Sequence, residues 1–425
     1  MRETGRSVLL VENLDLASPM GCTVAYYLAA ELADDHEVHA LCRRREARRE
    51  AGSPPEGVRL HAIDTGEVPV LSGLVFVVAA TLYAAVLGAR HRYDAVYAFQ
   101  NDLIQGWVGA VAAGGTFVAN LQSVPVRQGR DFTAEGNADV SVRERLSLAL
   151  YSAYAAVTGR LIRRADVVVS LTEGIRDLTA ETYDIDLSDA SVVGMGIDTE
   201  TFGPRAAENR STAAADGSGA TAAGHAAGRA DGDPWTLVYV GTIRATRGLD
   251  DVIEALAATD HDVELRVAGT GPDEHVADLR RLAADRGVAD RVEWLGLVPH
   301  DEVPALLRAA DAAVSPLADI ESYRVSYPAK LLEYLAAGCL VVATDIEPHR
   351  LLVEDGENGY LYEPGAAGFR RALDRCLAAP DHERVRAAAR ATAKEREWET
   401  VVAEHERAVF GTAGAESRDR VRSGG

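Results

Sequence analysis

Short apolar runs alternate with helix-like stretches along the first half of the chain. The apolar runs fall at 8–11, 37–42, 58–63, 95–99, 117–121 and 167–170, and a helical pattern covers 23–32. Buried strands that alternate with helices are typical of a parallel sheet with helices on both of its faces. We therefore predict that the first half of the chain is a doubly wound α/β domain.

Residues 205–234 interrupt this alternation. They are rich in Ala, Gly, Ser and Asp, and they contain no Leu, Ile, Val or aromatic residue. Such a segment buries too little apolar surface to offset the entropy lost on ordering, so we predict a flexible low-complexity linker.

The alternation resumes after the linker. Strand-like runs fall at 235–240, 264–268, 292–295, 313–315 and 340–343, with helical stretches between them. A second doubly wound domain is therefore predicted. The predicted limits are 1–204 for the first domain, 235–395 for the second, and 396–425 for a C-terminal helix and disordered tail. Ligands of such sheets bind at the carboxyl ends of the strands, and two facing domains form a cleft.

Charge and composition narrow the classes of partner. The 425 residues include 65 acidic and 44 basic side chains, for a net charge of −21. This excess disfavours duplex nucleic acid, whose phosphates need a basic footprint, so no nucleic-acid partner is expected. The basic residues comprise 42 Arg and two Lys, Lys330 and Lys394. An acidic, Lys-poor surface predicts a salt-tolerant protein from a halophile.

Cysteine usage indicates a reducing compartment. Cys22, Cys42, Cys339 and Cys376 are scattered and form no Cys-x-x-Cys pair. This pattern predicts a cytoplasmic protein. It has no zinc-site spacing, so no metal site is predicted. The first apolar run is too short for a signal peptide and reads as a buried strand.

One apolar segment leaves two interpretations open. The 22 residues from Val68 to Ala89 carry no charge. They form either a packed helix or a helix that dips into a membrane face. A full crossing is disfavoured because the strands on either side are expected to join one sheet. A basic cluster precedes it, either as a solvated loop or as a contact for anionic lipid headgroups. Its members are Arg43, Arg44, Arg45, Arg48 and Arg49.

Two glycine turns follow strands of the second domain. Gly241 opens a turn that carries Arg244 and Arg247 before the next helix, and Gly269 and Gly271 form another turn. Small residues let a backbone approach a phosphate, and a helix N-terminus favours an anion. Arginines add charge and paired donors. The alternative is a pair of ordinary turns with solvated arginines, since the GxGxxG dinucleotide pattern is absent.

The segment 326–338 offers a second group of candidates. Pro328 suits the first turn of a helix, on which Lys330 and Glu333 share a face. Lysine at this position, in a chain that otherwise uses arginine, indicates a specific requirement. Lys330 could hold a phosphate and Glu333 could accept hydrogen bonds from sugar hydroxyls. The alternative is an ordinary ion pair between the two.

Several segments, in order and spacing, resemble the family-4 retaining glycosyltransferases of the GT-B fold. They read RRADVVVSLTEGIRDL, VVGMGIDTETFGP, LVYVGTIRATRGLDDVIEAL, LRVAGTGP and SYPAKLLEYLAAGCLVVATDI. The resemblance implies two Rossmann-like domains that face each other across a cleft. The first would bind the acceptor and the second a nucleotide sugar.

The resemblance also implies the residues that bind the donor. Arg247 stands where the family has a diphosphate-binding Lys, Leu297 would border the base, and Glu333 would hold the ribose hydroxyls. The implied set is Gly21, Gly241, Arg244, Arg247, Gly269, Gly271, Leu297, Ser326, Tyr327, Lys330, Leu331 and Glu333.

The chain departs from the family pattern at catalytic positions. Val325 replaces the first Glu of the E-x7-E motif, and the usual His after the fourth strand is missing. The corresponding stretch holds Gln100, Asn101 and Asp102. Candidate catalytic residues are therefore Asn101, Asp102 and Glu321, and the assignment stays open.

These features predict a glycosyltransferase that moves a sugar from a UDP- or GDP-linked donor to an acceptor hydroxyl with retention. The acceptor would be a lipid-linked glycan or another cell-envelope molecule, with the enzyme cytoplasmic and peripheral to the membrane. No cofactor and no metal are expected, since protein cations would stabilise the leaving diphosphate. The alternatives are a catalytically inactive binding or scaffold protein and a sugar-nucleotide epimerase, both on the same fold.

Overall fold

The structure is a computed structural model that describes residues 5–16, 23–44, 54–65, 71–125, 157–204 and 233–411. Several predictions lie outside these residues. They concern Gly21, Cys22, three members of the basic cluster (Arg45, Arg48 and Arg49), the linker up to residue 232, and the tail after residue 411.

The first unit is built on a seven-stranded parallel sheet, with the strand order β3-β2-β1-β4-β5-β6-β7. Its strands are β1 (Ser7–Glu12), β2 (Glu37–Arg44), β3 (Arg59–Asp64), β4 (Ala95–Phe99), β5 (Thr116–Leu121), β6 (Val167–Ser170) and β7 (Ser191–Val192). Its helices include α1 (Thr23–Leu32), α2 (Leu71–His91), α3 (Leu103–Ala113) and α4 (Glu173–Tyr183). The predicted doubly wound domain is confirmed.

Alternating side chains of β1 supply the cores on both faces of this sheet. Leu9 and Val11 pack on one face in the cluster that includes Phe76 of α2. Val8 and Leu10 pack on the other face in the cluster that includes α1. Because both faces are covered, the strand is apolar throughout, as parallel strands generally are.

The uncharged segment 68–89 contains most of α2, and this helix is packed along one side only. Phe76, Ala80, Ala84 and Leu87 are buried. Gly88 lies against α3, where a Cβ would collide with the carbonyl oxygen of Gly109. The packed-helix interpretation holds for this side. Among the described residues, no helix combines the length and apolarity needed to cross a bilayer.

The second unit is built on a six-stranded parallel sheet, with the strand order β10-β9-β8-β11-β12-β13. Its strands are β8 (Trp235–Val240), β9 (Val263–Ala268), β10 (Val292–Gly296), β11 (Ala312–Ser315), β12 (Leu340–Thr344) and β13 (Tyr360–Tyr362). Its α-helices are α5 (Thr199–Phe202), α6 (Leu249–Ala258), α7 (Asp273–Asp285), α8 (Val303–Arg308), α9 (Glu321–Arg324), α10 (Ala329–Ala337), α11 (Glu347–Arg350), α12 (Ala366–Leu377) and α13 (His382–Lys394).

The limits of the two units differ from the predicted domain limits. Unit 1 comprises Met1–Gly196, Val325–Tyr327 and Trp398–Gly425, and unit 2 comprises Ile197–Arg324 and Pro328–Glu397. Residues 197–204 belong to unit 2 because Ile197 N donates to Arg396 O (2.9 Å) and the Arg308 guanidinium donates to Thr201 O (3.1 Å). Sequence periodicity carries no information on these long-range contacts, so the predicted boundary fell at 204.

The last helix, α14 (Trp398–Phe410), belongs to unit 1. The Trp398 ring stacks on Tyr27 of α1, with 4.9 Å between the centroids and an interplanar angle of 10°. Glu406 Oε1 lies 2.8 Å from His36 Nε2. Val401 and Val402 are fully buried in the core on the α1 face of the sheet. After unit 2 the chain thus returns to unit 1, which contains the last helix that the structure describes.

We expect Trp398→Ala to destabilise unit 1 by about 3–5 kcal/mol, the usual cost of truncating a buried aromatic side chain. Chemical denaturation of the full chain, followed by circular dichroism, measures this loss. Leu351→Ala is the matched control, because Leu351 is a 53% exposed side chain of unit 2. A loss below about 1 kcal/mol for Trp398→Ala would contradict the packing of α14 described above.

Candidate functional site

Three strand ends of unit 2 are hydrogen-bonded to one another at the carboxyl edge of its sheet. Gly241 N, after β8, donates to Ala268 O (2.8 Å), and Gly269 N, after β9, donates to Gly296 O (2.7 Å). Ile243 N donates to Thr270 O (2.9 Å). These bonds hold the two predicted glycine turns side by side, where parallel α/β sheets bind their ligands.

These turns need glycine because other atoms of the protein lie too close to leave room for a Cβ atom. Gly241 has φ +147°, and a Cβ at this position would collide with Nζ of Lys330. Gly269 has φ +151°, and its Cβ would collide with the carbonyl oxygen of Gly241. A Cβ on Gly271 would collide with Ile243 O. The structure therefore brings Gly241, Gly269, Gly271 and Lys330 together, as the resemblance implied.

Lys330 carries a partly buried ammonium. It lies in the first turn of α10, with Nζ 5.4 Å from the centroid of the Tyr239 ring. Burial, followed by repulsion from Arg247, lowers the pKa of Lys330 from 10.5 to about 7, whereas Glu333 acts in the opposite direction. Among the described residues, no carboxylate lies within ion-pair distance of this ammonium and no acceptor bonds to it. An ammonium in such surroundings is stabilised by an anion.

Arg247 places a second cation at the same edge. It ends a short 3₁₀ turn, Ala245–Arg247, and its guanidinium carbon lies 4.8 Å from the centroid of the Tyr323 ring. Its Nε is buried without a hydrogen-bond partner in the described part of the chain. A buried donor without an acceptor is costly, so this side chain also favours an anionic ligand.

Glu333 pairs with a histidine rather than with Lys330. Its Oε1 lies 3.6 Å from Nε2 of His300. The hydrogen bond that the Glu333 carboxylate accepts from His300, together with the charge of that carboxylate, raises the pKa of His300 above its ordinary value. The alternative of an ordinary Lys330–Glu333 ion pair is therefore not what the structure shows. His300 was missed by the sequence reasoning, although it follows Leu297 by only three residues.

Two leucines of the implied donor set lie in opposite environments. Leu297, directly after β10, is 72% exposed, so its side chain is free to contact a ligand. Leu331 is fully buried, and its backbone N–H donates to Pro328 O (2.9 Å). Leu331 therefore contributes packing beneath the site. Arg244 is exposed at the same turn as Arg247.

Ser326 and Tyr327, also in the implied set, group with unit 1 together with Val325. The Tyr327 hydroxyl donates to Met195 O (3.4 Å). The carbonyl oxygen of Val325 accepts a 2.6 Å hydrogen bond from the Thr172 hydroxyl. Ser326 and Tyr327 are therefore described with unit 1, and their contacts with a donor remain predictions.

The candidate catalytic carboxylate Asp102 lies inside unit 1 and is 1% exposed. Its Oδ2 accepts from Asn13 N (2.9 Å), and its Oδ1 accepts from Gln105 Nε2 (3.0 Å). Burial and the nearby Glu12 raise the pKa of Asp102, and burial raises the pKa of Glu12 to about 7. These bonds indicate a packing role for Asp102 between the ends of β1 and β4.

The remaining candidates after the fourth strand differ in exposure. Gln100 has φ +33°, and its side-chain oxygen accepts from Gln122 N (2.8 Å) and Ser123 N (2.9 Å). It therefore ties the end of β4 to the end of β5. Asn101 and Glu321 are exposed, and their catalytic roles remain predictions.

Two family models match the chain. The model "Glycosyl transferase 4-like domain" matches residues 22–196, and "Glycosyl transferases group 1" matches residues 223–396. Together they cover both units.

Curated relatives agree with these models. The chain is 31% identical over 255 residues to a D-inositol 3-phosphate glycosyltransferase of Frankia alni, which covers 56% of this chain and 57% of the relative. It is 28% identical over 254 residues to a glycogen synthase of Mycobacterium tuberculosis, which covers 58% of this chain and 54% of the relative. The chain thus spans about half the length of the curated relatives it matches.

Solved structures show the fold along nearly the whole chain. HepE of Anabaena, solved in complex with UDP and glucose, superposes with a TM-score of 0.67 at 16% identity and covers 98% of this chain and 100% of its own. Sucrose-phosphate synthase of Thermosynechococcus elongatus superposes with a TM-score of 0.70 at 17% identity, with the same coverage. Both domain models match and both parallel sheets are present. The chain therefore belongs to the family-4 (GT4) glycosyltransferases and has the GT-B fold.

Proposed function

We propose that this protein transfers a sugar from a UDP- or GDP-linked donor to an acceptor hydroxyl, with retention of the anomeric configuration. The observation that carries the proposal is the pair of cations at the carboxyl edge of the second sheet. Lys330 and Arg247 lie beside glycine turns that admit no side chain, and neither has a carboxylate partner among the described residues. The missing counter-ion is best supplied by a diphosphate.

The chemistry of the transfer requires stabilisation of the leaving nucleoside diphosphate. Negative charge grows on this group as the bond to the sugar breaks, and cations fixed in a partly buried site stabilise it without reorganisation. Lys330 contributes a point charge and Arg247 contributes paired donors. The unpaired N–H groups at the start of α10 favour the same charge. In this proposal the protein's own cations, rather than a metal, hold the leaving group.

The nucleoside fits the groups that surround the cations. Leu297 offers an exposed apolar surface to a base, and the Glu333 carboxylate can accept hydrogen bonds from ribose hydroxyls. His300 lies beside Glu333, and the carboxylate raises the pKa of this imidazole. HepE, which shares the fold, was solved with UDP and glucose, which supports a nucleotide sugar as donor.

We expect calorimetric titration of UDP, GDP and their sugars to find one nucleotide series that binds. Lys330→Ala should weaken its binding by about tenfold to a hundredfold, the loss expected for a charge-assisted contact to a phosphate. Lys394→Ala is the matched control, since Lys394 is the only other lysine and lies exposed in the last turn of α13. Equal binding by both variants, or no binding to the wild type, would contradict the proposed site.

For the acceptor we propose a lipid-linked or other cell-envelope glycan, reached at the cytoplasmic membrane face. The second face of α2 supports this proposal because it is apolar and exposed. Val78 is 55% exposed, Leu82 66% and Val86 59%, at helical spacing. Val111 of the adjoining α3 is 64% exposed. An apolar stripe of this kind is typical of a helix that lies in the membrane interface.

Flotation with vesicles that contain anionic lipid tests this contact. We expect the wild type to float and the double variant Val78→Asn, Leu82→Asn to stay unbound at the same salt concentration, because the polar side chains remove the apolar stripe. Leu351→Asn changes an equally exposed apolar side chain of unit 2 and should float like the wild type. If the wild type does not float, the proposed membrane contact is wrong. The proposed donor site does not depend on this result.

A second candidate function is a non-catalytic binding or scaffold protein, and Val325 favours it. A carboxylate of the family's E-x7-E motif is replaced by an apolar side chain that packs in the core of unit 1. Turnover separates the two functions. Binding of a sugar nucleotide without hydrolysis or transfer, across a panel of glycan acceptors, would favour the scaffold. Conversion to an isomeric sugar nucleotide would instead identify an epimerase.

A further inference from the structure

Three histidines of unit 1 gather beside α2, and none of them belongs to the implied donor set. They are His39 on β2, His61 on β3 and His91 at the end of α2. The ring centroids of His39 and His91 lie 4.5 Å apart, and those of His39 and His61 lie 5.0 Å apart. Three of the eleven histidines in the chain therefore meet in one place, although they are distant in sequence.

The two ring nitrogens of His39 face different groups. Its Nδ1 lies 2.5 Å from the Tyr93 hydroxyl and 3.1 Å from Nε2 of His61. Its Nε2 points to the other side, 3.4 Å from Glu37 Oε1. In metal sites, a ligating histidine is oriented by a hydrogen bond at its second nitrogen, and Tyr93 and His61 are placed to provide it. The His39 ring is 1% exposed, so its orientation is fixed by packing.

Glu37 and His91 complete a set of three donor atoms. Glu37 lies two residues before His39, on the same face of β2. One ligand atom from each of Glu37, His39 and His91 lies within 4.8 Å of the others. Tetrahedral zinc with bonds of about 2.0–2.1 Å places its ligand atoms roughly 3.3 Å apart. The pair Glu37–His39 already has this spacing. The ligand atom of His91, within 4.8 Å of the other two, needs to approach by at most about 1.5 Å.

A cationic side chain already occupies the position between two of these donors. Arg59 Nη1 lies 2.6 Å from Glu37 Oε1 and 3.4 Å from His39 Nε2. The Arg59 side chain is 64% exposed, so it can leave towards solvent without breaking buried contacts. In addition, His91 is the last residue of α2, where the helix dipole favours a cation. The position is therefore suited to positive charge, since Arg59 already occupies it and the dipole of α2 favours a cation there.

We propose that Glu37, His39 and His91 bind a divalent first-row transition metal, with Zn²⁺ as the preferred ion. Two imidazoles and one carboxylate form a recognised three-residue zinc set, with a fourth position for water. Bound metal would join β2 to the end of α2 and so stabilise the core face that α2 covers. Sequence spacing predicted no metal site because the ligands come from separate elements that only the folded sheet brings together.

Metal binding to tag-free protein tests the proposal. We expect the wild type to retain about one Zn²⁺ per chain after dialysis and to give the absorption bands of tetrahedral Co²⁺. His91→Ala and Glu37→Gln should lose both signals and the rise in melting temperature that Zn²⁺ causes in the wild type. Both residues lie at the surface side of the cluster, so these variants should fold, which circular dichroism checks.

Two further variants make the test more specific. Arg59→Gln removes the competing cation and should tighten Zn²⁺ binding by roughly twofold to fivefold, the range of an exposed ion pair. His275→Ala, a histidine of α7 in unit 2, should bind Zn²⁺ like the wild type. The proposal is overturned if the wild type and His91→Ala show the same Zn²⁺ stoichiometry, whether this is one or none. These readouts do not depend on glycosyl transfer, so the result stands apart from the proposed function.

Discussion

The structure of the candidate site depends on one unfavourable contact, the close approach of two cations that lack carboxylate partners among the described residues. The ammonium of Lys330 lies directly against the backbone of Gly241. Arg247 is close enough to lower the pKa of Lys330. Gly241 is required by the approach of Lys330, whereas Gly269 and Gly271 are required by carbonyl oxygens of the neighbouring turn. A protein tolerates such repulsion at a functional site because a ligand relieves it. The proposed donor binding and charge stabilisation both rest on these two cations.

The corresponding edge of the first sheet has the opposite character. There, Glu12 and Asp102 are buried, and burial raises the pKa of both carboxyl groups. Asp102 accepts hydrogen bonds from the backbone of Asn13 and the side chain of Gln105, and Gln100 accepts from the backbone just after β5. The side chains at this edge therefore hold the ends of neighbouring strands together. The two sheets share the order of their first six strands but differ in the chemistry of this edge, because the side chains near the strand ends determine that chemistry.

The sequence was sufficient to predict both parallel sheets, because buried parallel strands are continuous apolar runs separated by helices. The glycine turns and Lys330 were also singled out, since close approach and helix starts leave local signals, whereas Leu297 was implied only by the family resemblance. Long-range pairings were not. The assignment of Trp398 to unit 1, the pairing of His300 with Glu333 and the histidine cluster each join residues far apart in sequence. Hydrophobic periodicity reports only the local environment of each residue. These long-range contacts can therefore be identified only in the folded structure.

The most direct test of this account is the titration of the Lys330 ammonium itself. The chain contains only two lysines, so lysine labelled with ¹³C at Cε gives two signals, and the Lys394→Arg variant assigns them. The account predicts that the Lys330 signal titrates at about pH 7 in the free protein. Because an anion stabilises the charged form, this pKa should rise when the preferred nucleoside diphosphate binds. A Lys330 signal that titrates near its ordinary value of 10.5 and does not respond to any nucleotide would contradict the account.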